Sequence, residues 1–184
     1  MPNRSDSIKN LESSYSKTKN AVLRLLSYRS RSESEVRRRL QDRFTEDAID
    51  CVVSDLRTKG LLDDVSFAKE WRERREMFKP EGRAAIRQEL QKLGVAREVV
   101  QETLAGIDES SNAYRAGSKY ATKLSLDNRT AFKRKLGGFL YRRGFRGEVL
   151  GQTVEQLWRE LLDPLDSCVD GNGHYNQSEE FYAP

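Results

Sequence analysis

Apolar positions along the chain recur at helical spacing, and the recurrence itself repeats. Val36 with Leu40, Ile86 with Leu90, and Leu136 with Leu140 form three i, i+4 apolar pairs set fifty residues apart. A short turn follows each, at Phe44-Thr45, Gly94-Val95-Ala96 and Gly144-Phe145-Arg146, one residue shorter in the first copy. Beyond the turn the register resumes as Ile49, Val53 and Leu56; Val100, Leu104 and Ile107; and Leu150, Val154 and Leu157. Each set is an i, i+4, i+7 stripe, the signature of a helix that buries one face. The pattern therefore predicts three copies of a unit whose second and third helices are clearly marked.

The first helix of each copy is marked less clearly. Leu23, Leu25 and Leu26, then Phe67, Ala68 and Trp71, then Ala113, Ala116 and Tyr120 each give an apolar face, but the three segments align poorly with one another. Prolines occur only at 2, 80, 164 and 184, so long stretches are free to run as helices joined by short turns. Ser32-Glu33-Ser34-Glu35 has capping-box spacing, Thr45 precedes the acidic first turn Glu46-Asp47, and Gly60, Gly94 and Gly144 follow helix ends. These signals predict helices near 17–29, 32–43 and 45–59; near 64–78, 82–93 and 96–106; and near 110–124, 128–143 and 147–162.

The expected fold class is all-α. Three tandem three-helix modules, at 17–60, 61–108 and 109–162, each have a thin core, so they are expected to stack into an elongated, curved body. Residues 1–16 are polar and serine-rich, and 163–184 mix proline, glycine, aspartate and asparagine, which predicts flexible arms at both ends, the second of them acidic. The middle helix of the third module carries Gly137-Gly138, at a cost of about 1 kcal/mol per glycine relative to alanine.

Charge sharpens the picture. The formal net charge is +4, yet five of the 29 acidic residues lie in 163–184, which holds no Lys or Arg, so the helical body is distinctly basic. A basic body attracts polyanions, chiefly nucleic acid. No apolar run has the length of a signal peptide or a spanning helix, and cytoplasmic residence without membrane attachment is expected. Cys51 falls in an apolar helical pattern and is read as a small core side chain. Cys168 lies in the polar tail, and neither cysteine suggests a disulfide framework.

Catalytic chemistry finds little to stand on. The one histidine, His174, is in the tail, and Cys51, Cys168 and His174 lack metal-ligand spacing. There is no phosphate-loop motif, and Asp63-Asp64, between a turn and an apolar-patterned helix, reads as a capping pair rather than a metal site. No cofactor and no enzymatic activity are expected. The candidate binding residues are instead basic: Arg37, Arg38, Arg39 and Arg43; Arg72, Arg74 and Arg75; and Lys133, Arg134, Lys135, Arg142, Arg143 and Arg146, with Tyr141 beside them. The plainer reading of each one singly is a solvated helix face paired with neighbours such as Glu33, Glu35, Glu73 and Glu76. Tyr141 divides evenly between core and contact, whereas Trp71 is assigned to the core.

One run of residues carries more than pattern. Gly60-Leu61-Leu62-Asp63-Asp64-Val65-Ser66-Phe67-Ala68, with Arg75, Gly82, Ile86 and Glu89-Leu90-Gln91-Lys92-Leu93-Gly94-Val95, closely resembles the most distinctive part of RecX proteins. Leu25-Leu26-Ser27-Tyr28-Arg29 and Arg31-Ser32-Glu33-Ser34-Glu35-Val36 resemble that family's opening module, and Arg142-Arg143-Gly144-Phe145 its third. The resemblance covers about 17–162. It implies a regulator of homologous recombination and the SOS response that binds RecA filaments on single-stranded DNA, lies in their groove, and inhibits filament extension, strand exchange, RecA ATP hydrolysis and co-protease activity; a monomer is expected. RecA and single-stranded DNA are the implied partners, with double-stranded DNA a further candidate. The competing reading is a RecA-independent, sequence-tolerant DNA-binding protein built from helix-turn-helix-like modules.

Overall fold

A computed structural model of the chain describes residues 4–162. Among these residues the structure is all-helical: α1 Arg4–Tyr28, α2 Glu33–Leu40, α3 Glu46–Thr58, α4 Asp64–Phe78, α5 Arg83–Lys92, α6 Arg97–Ala105, α7 Glu109–Ala121, α8 Arg129–Arg142 and α9 Gly147–Leu162. The expectations placed on 163–184, including the acidic arm, Cys168 and His174, fall outside the described residues.

Consecutive helices group in threes around three separate cores. Val22, Val36, Leu40, Ile49, Val52, Val53 and Leu56 form the first. Phe67, Ala68, Ile86, Leu90, Val95, Val100, Leu104 and Ile107 form the second. Ala113, Phe132, Leu136, Leu140, Phe145, Val154, Leu157 and Trp158 are among those in the third. The repeated pairs of the middle helices are the anchors: Val36, Ile86, Leu136, Leu90 and Leu140 are wholly buried, and Leu40 nearly so. The chain divides into two compact units, Met1–Asp108 and Glu109–Pro184.

Turn chemistry accounts for the corners. Gly60, Gly94 and Gly144 adopt φ of 67°, 77° and 88°, the left-handed conformation that ends a helix. At each, the next residue donates its N–H to the carbonyl five residues earlier: Leu61 to Leu56, Val95 to Leu90 and Phe145 to Leu140. Val95 and Phe145 then fold into their cores, so the motif that stops the helix also seals it.

Within the first unit the corner between α1 and α2 is pinned to the second module. Ser32 caps α2 by accepting from the Glu35 N–H at 3.1 Å, and its hydroxyl donates to the Leu93 carbonyl. The Glu33 N–H donates to Asp64 at 2.8 Å, so an acidic side chain at the start of α4 caps the N-terminus of α2. Only half of the expected capping box forms. The Glu35 carboxylate turns inward, is almost fully buried, and takes Arg29 at 2.6 Å together with a closer Arg31. A buried carboxylate needs compensating charge, and the two guanidinium groups supply it at Oε1, which a reciprocal backbone bond alone would not.

Two expectations are corrected. The first helix begins at Arg4, not near residue 17, and so takes in most of the segment read as an N-terminal arm. Its extension is tied down by Tyr15, whose hydroxyl donates to Asp55 on α3 at 2.7 Å, and by Thr18, which is fully buried and bonds to the Ser14 carbonyl at 2.9 Å. Cys51 is exposed rather than in the core. Its neighbours Val52 and Val53 are the buried residues of that turn, because the stripe of α3 centres on Ile49, Val53 and Leu56 and a helix rotates residue 51 to the opposite side.

Candidate functional site

The basic residues singled out by sequence divide into those already engaged and those left open. Arg37 lies between Glu33 at 3.0 Å and a closer Asp50, and these hydrogen bonds, Asp50's above all, raise its pKa. Arg57 also reaches Glu33, at 2.7 Å, so the cluster braces α2 against α3. Arg75 makes a bidentate pair with Glu89 at 2.8 Å through both Nε and Nη2, and its guanidinium lies 5.0 Å from the centre of the Trp71 ring. Trp71 in turn donates its indole N–H to Glu89 at 2.7 Å, which explains why this ring is half-buried instead of fully in the core. Arg72 donates to the Thr103 carbonyl at 3.3 Å and links α4 to α6. Lys133 pairs with Glu155 at 2.6 Å, and its hydrogen bond is the main reason that carboxylate's pKa is lowered. These five cations join helices together.

Arg38, Arg39 and Arg43 are exposed and differ in kind. Among the described residues no carboxylate pairs with Arg38 or Arg43, and Arg39 reaches Glu35 only at 3.8 Å. They line one side of an open groove of about 1030 Å³, and Lys17, Arg24 and Tyr28 of α1 line the other. Asp42 is the one acidic side chain along it, and Leu40 and Phe44 are among its apolar lining. Sequence reasoning missed the α1 side. The signal was there: Lys17, Asn20, Arg24 and Tyr28 fall at i, i+3, i+7 and i+11, one face of a helix whose opposite face holds the wholly buried Val22.

In the second module, Arg74 is exposed without an ion pair among the described residues. It lines a smaller pocket of about 350 Å³ with Arg29, Trp71, Arg75, Phe78 and Lys79. In the third module Arg134, Lys135, Tyr141 and Arg142 are exposed on the outer face of α8. Tyr141 is 57% exposed, which decides between core and contact in favour of the surface. The Arg146 guanidinium sits 3.6 Å from the centre of its ring and donates to the Phe145 carbonyl at 2.8 Å. Arg143 lies 4.8 Å from the centre of Phe139, itself stacked on Tyr120 at 4.3 Å. Gly138 lies directly under the Arg142 guanidinium, where an added Cβ would stand 3.4 Å from Nη1.

Asp63 and Asp64 are structural. Asp63 caps α4, accepting from Ser66 Oγ at 2.6 Å and the Val65 N–H at 2.9 Å, and these bonds lower its pKa. Burial raises that of Asp64, which caps α2. Among the described residues no cluster of three His, Cys, Asp or Glu side chains could hold a metal ion, and no helix is long and apolar enough to cross a membrane. What the exposed groups can do chemically is bind: cations without internal partners attract phosphate, and exposed rings stack or insert.

Known proteins match this chain along most of its length. Residues 19–56 match the family description "RecX, first three-helix domain", and residues 63–104 match "RecX, second three-helix domain". The chain is 34% identical over 139 residues to the regulatory protein RecX of Chlorobium phaeobacteroides, covering 75% of this chain and 91% of that protein. With its counterpart from Pelodictyon phaeoclathratiforme the identity is 35% over 148 residues, covering 80% and 92%. The crystal structure of RecX from Lactobacillus salivarius has the same fold, with a TM-score of 0.73 at 23% identity over 79% of this chain and 97% of that one. Coverage of nearly the whole length of relatives more than 30% identical shows that this chain belongs to the RecX family of regulatory proteins.

Proposed function

We propose that this chain regulates homologous recombination by binding RecA filaments assembled on single-stranded DNA and inhibiting their extension, strand exchange, ATP hydrolysis and co-protease activity. The observation that supports this most is family membership: its relatives are regulatory proteins RecX, and the match extends over both named three-helix domains. The arrangement of charge suits a nucleoprotein partner. Each module has cations not consumed in internal pairs: Arg38 and Arg43 in the first, beside an Arg39 held only at 3.8 Å, Arg74 in the second, and Arg134, Lys135 and Arg142 in the third. Several modest contacts on one chain reinforce one another, because docking of the first raises the effective concentration of the others.

A second reading has an observation of its own. The groove between α1 and α2 has five basic side chains and one acidic one, and such a groove binds a DNA backbone without any filament. The two readings separate in one experiment. RecA's ATP hydrolysis on single-stranded DNA is titrated with this protein beside a direct DNA-binding assay lacking RecA. Inhibition well below one protein per RecA is the expected result. Absence of inhibition, together with tight RecA-independent DNA binding that weakens steeply with salt, would replace filament regulation with the second reading.

A further inference from the structure

The first helices of modules one and two align poorly along most of their length, but their last turns are the same. At a shift of fifty residues Arg24 corresponds to Arg74, Tyr28 to Phe78, and Arg29 to Lys79. Both α1 and α4 end on the aromatic residue, and α2 and α5 then start at the matching positions Glu33 and Arg83. Tyr28 is 73% exposed and Phe78 78% exposed. The arginine one turn earlier is exposed in each case, on the same face of the helix.

These rings differ from the other aromatics. Tyr141 carries Arg146 on its face, Phe139 carries Arg143, Phe44 carries Arg43, and Trp71 carries Arg75. Among the described residues no ring and no cation lies against Tyr28 or Phe78, so their faces are open. A large ring left three-quarters exposed at the same place in two modules does nothing for either core. Each lies beside its arginine: Arg24 and Tyr28 line the groove of the first module, and Arg74 and Phe78 the pocket of the second. The two sites adjoin, because Tyr28 lines the first and the next residue, Arg29, lines the second. Both linings are dominated by cations, which fits a polyanion that also presents flat apolar faces.

We propose that Tyr28 and Phe78 are stacking platforms for unpaired bases of a nucleic-acid single strand, with Arg24 and Arg74 on the neighbouring phosphates. A duplex does not satisfy this arrangement, since its bases are already stacked within the helix. Stacking requires only a π-face, so the contact tolerates any sequence. The inference goes beyond filament regulation and stands without it, since it requires no RecA.

The test is fluorescence anisotropy of a labelled thirty-nucleotide oligothymidine with the full chain and no RecA, at several salt concentrations. Tyr28→Ala and Phe78→Ala are each expected to weaken binding roughly tenfold, the loss of one base–ring stack, with an unchanged salt slope. Tyr28→Phe and Phe78→Tyr, which keep the ring, retain affinity. Arg24→Ala is expected to reduce the slope of log affinity against log salt by about 0.7, the share of one phosphate contact on a single strand. Binding to a duplex of the same length should fall with Arg24→Ala and not with Tyr28→Ala. Both rings are exposed, and circular dichroism verifies that each variant is folded. Alanine variants that bind the oligonucleotide as the parent does would overturn the proposal. If those same variants lost RecA-filament binding, the rings would belong to a protein contact instead.

Discussion

Alanine in place of Gly94 tests how tightly the first two modules are locked together. Gly94 has φ of 77°, and a Cβ built there would lie 2.2 Å from Ser34 Oγ and 2.3 Å from Ser34 Cβ, at the start of α2. Gly60 supplies the internal control. Its φ is 67°, nearly the same, but an added Cβ there meets nothing within 4 Å. Gly60→Ala should thus cost only the left-handed conformation, about 1–2 kcal/mol. Gly94→Ala carries that cost and the overlap with Ser34, which typically adds about 1–3 kcal/mol when packing has to give. The expected total is about 2–5 kcal/mol. Urea unfolding in a Trp158→Phe background, leaving Trp71 as the single tryptophan, reads the first unit alone. Ser34→Gly should then be favourable in the Gly94→Ala protein although unfavourable in the parent, giving a coupling of about 1–3 kcal/mol. Equal losses from Gly60→Ala and Gly94→Ala, or no coupling with Ser34, would refute the steric argument.

Other perturbations check separate parts of the account. Arg75→Ala breaks the bidentate pair with Glu89 and should lower stability by about 1–2 kcal/mol, whereas the double variant Arg38→Ala/Arg43→Ala should leave stability nearly unchanged and weaken oligonucleotide binding; urea titration and anisotropy on the same samples distinguish them. Gly137→Ala adds a Cβ only 3.8 Å from Leu150 Cδ1's partner methyl Cδ2, an ordinary contact, so it should stabilise the second unit by about 0.5–1 kcal/mol and raise its melting temperature. Asp55 accepts from Lys59, Tyr15 and Lys19, which hold its pKa well below the usual carboxylate range. A depressed folded-state pKa gives stability that is complete above the unfolded value, about 3.9, and is lost as pH falls toward the folded one. Asp55→Asn should accordingly lower the denaturation midpoint at pH 7 and flatten its decline below about pH 4; an undiminished acid decline would show that this carboxylate does not contribute it.

The helical repeat is legible in the order of residues alone. Apolar periodicity is a local property, and Val36, Ile86 and Leu136 are buried because each sits at the same place in a self-sufficient three-helix unit. The glycines at 60, 94 and 144 were equally legible, since a left-handed residue after a helix is a demand that almost only glycine meets cheaply. Capping by Asp63 could be read from its position, but that Asp64 reaches back to the N–H of Glu33 could not. That bond joins residues brought near only by the docking of one module on another. The same limit separated the cations. Arg37 and Arg38 are neighbours in a basic run, yet one is locked between Glu33 and Asp50 while the other opens onto a groove. Which arginine is consumed depends on Asp50, brought from α3, as well as on Glu33 one turn away, and which is free depends on α1 lying across from it. Cys51 makes the point in reverse, because an apolar neighbourhood in sequence became an exposed site once the rotation of α3 was fixed by its core. Periodicity fixes the faces of helices; only tertiary packing decides which charges on those faces remain to meet a partner.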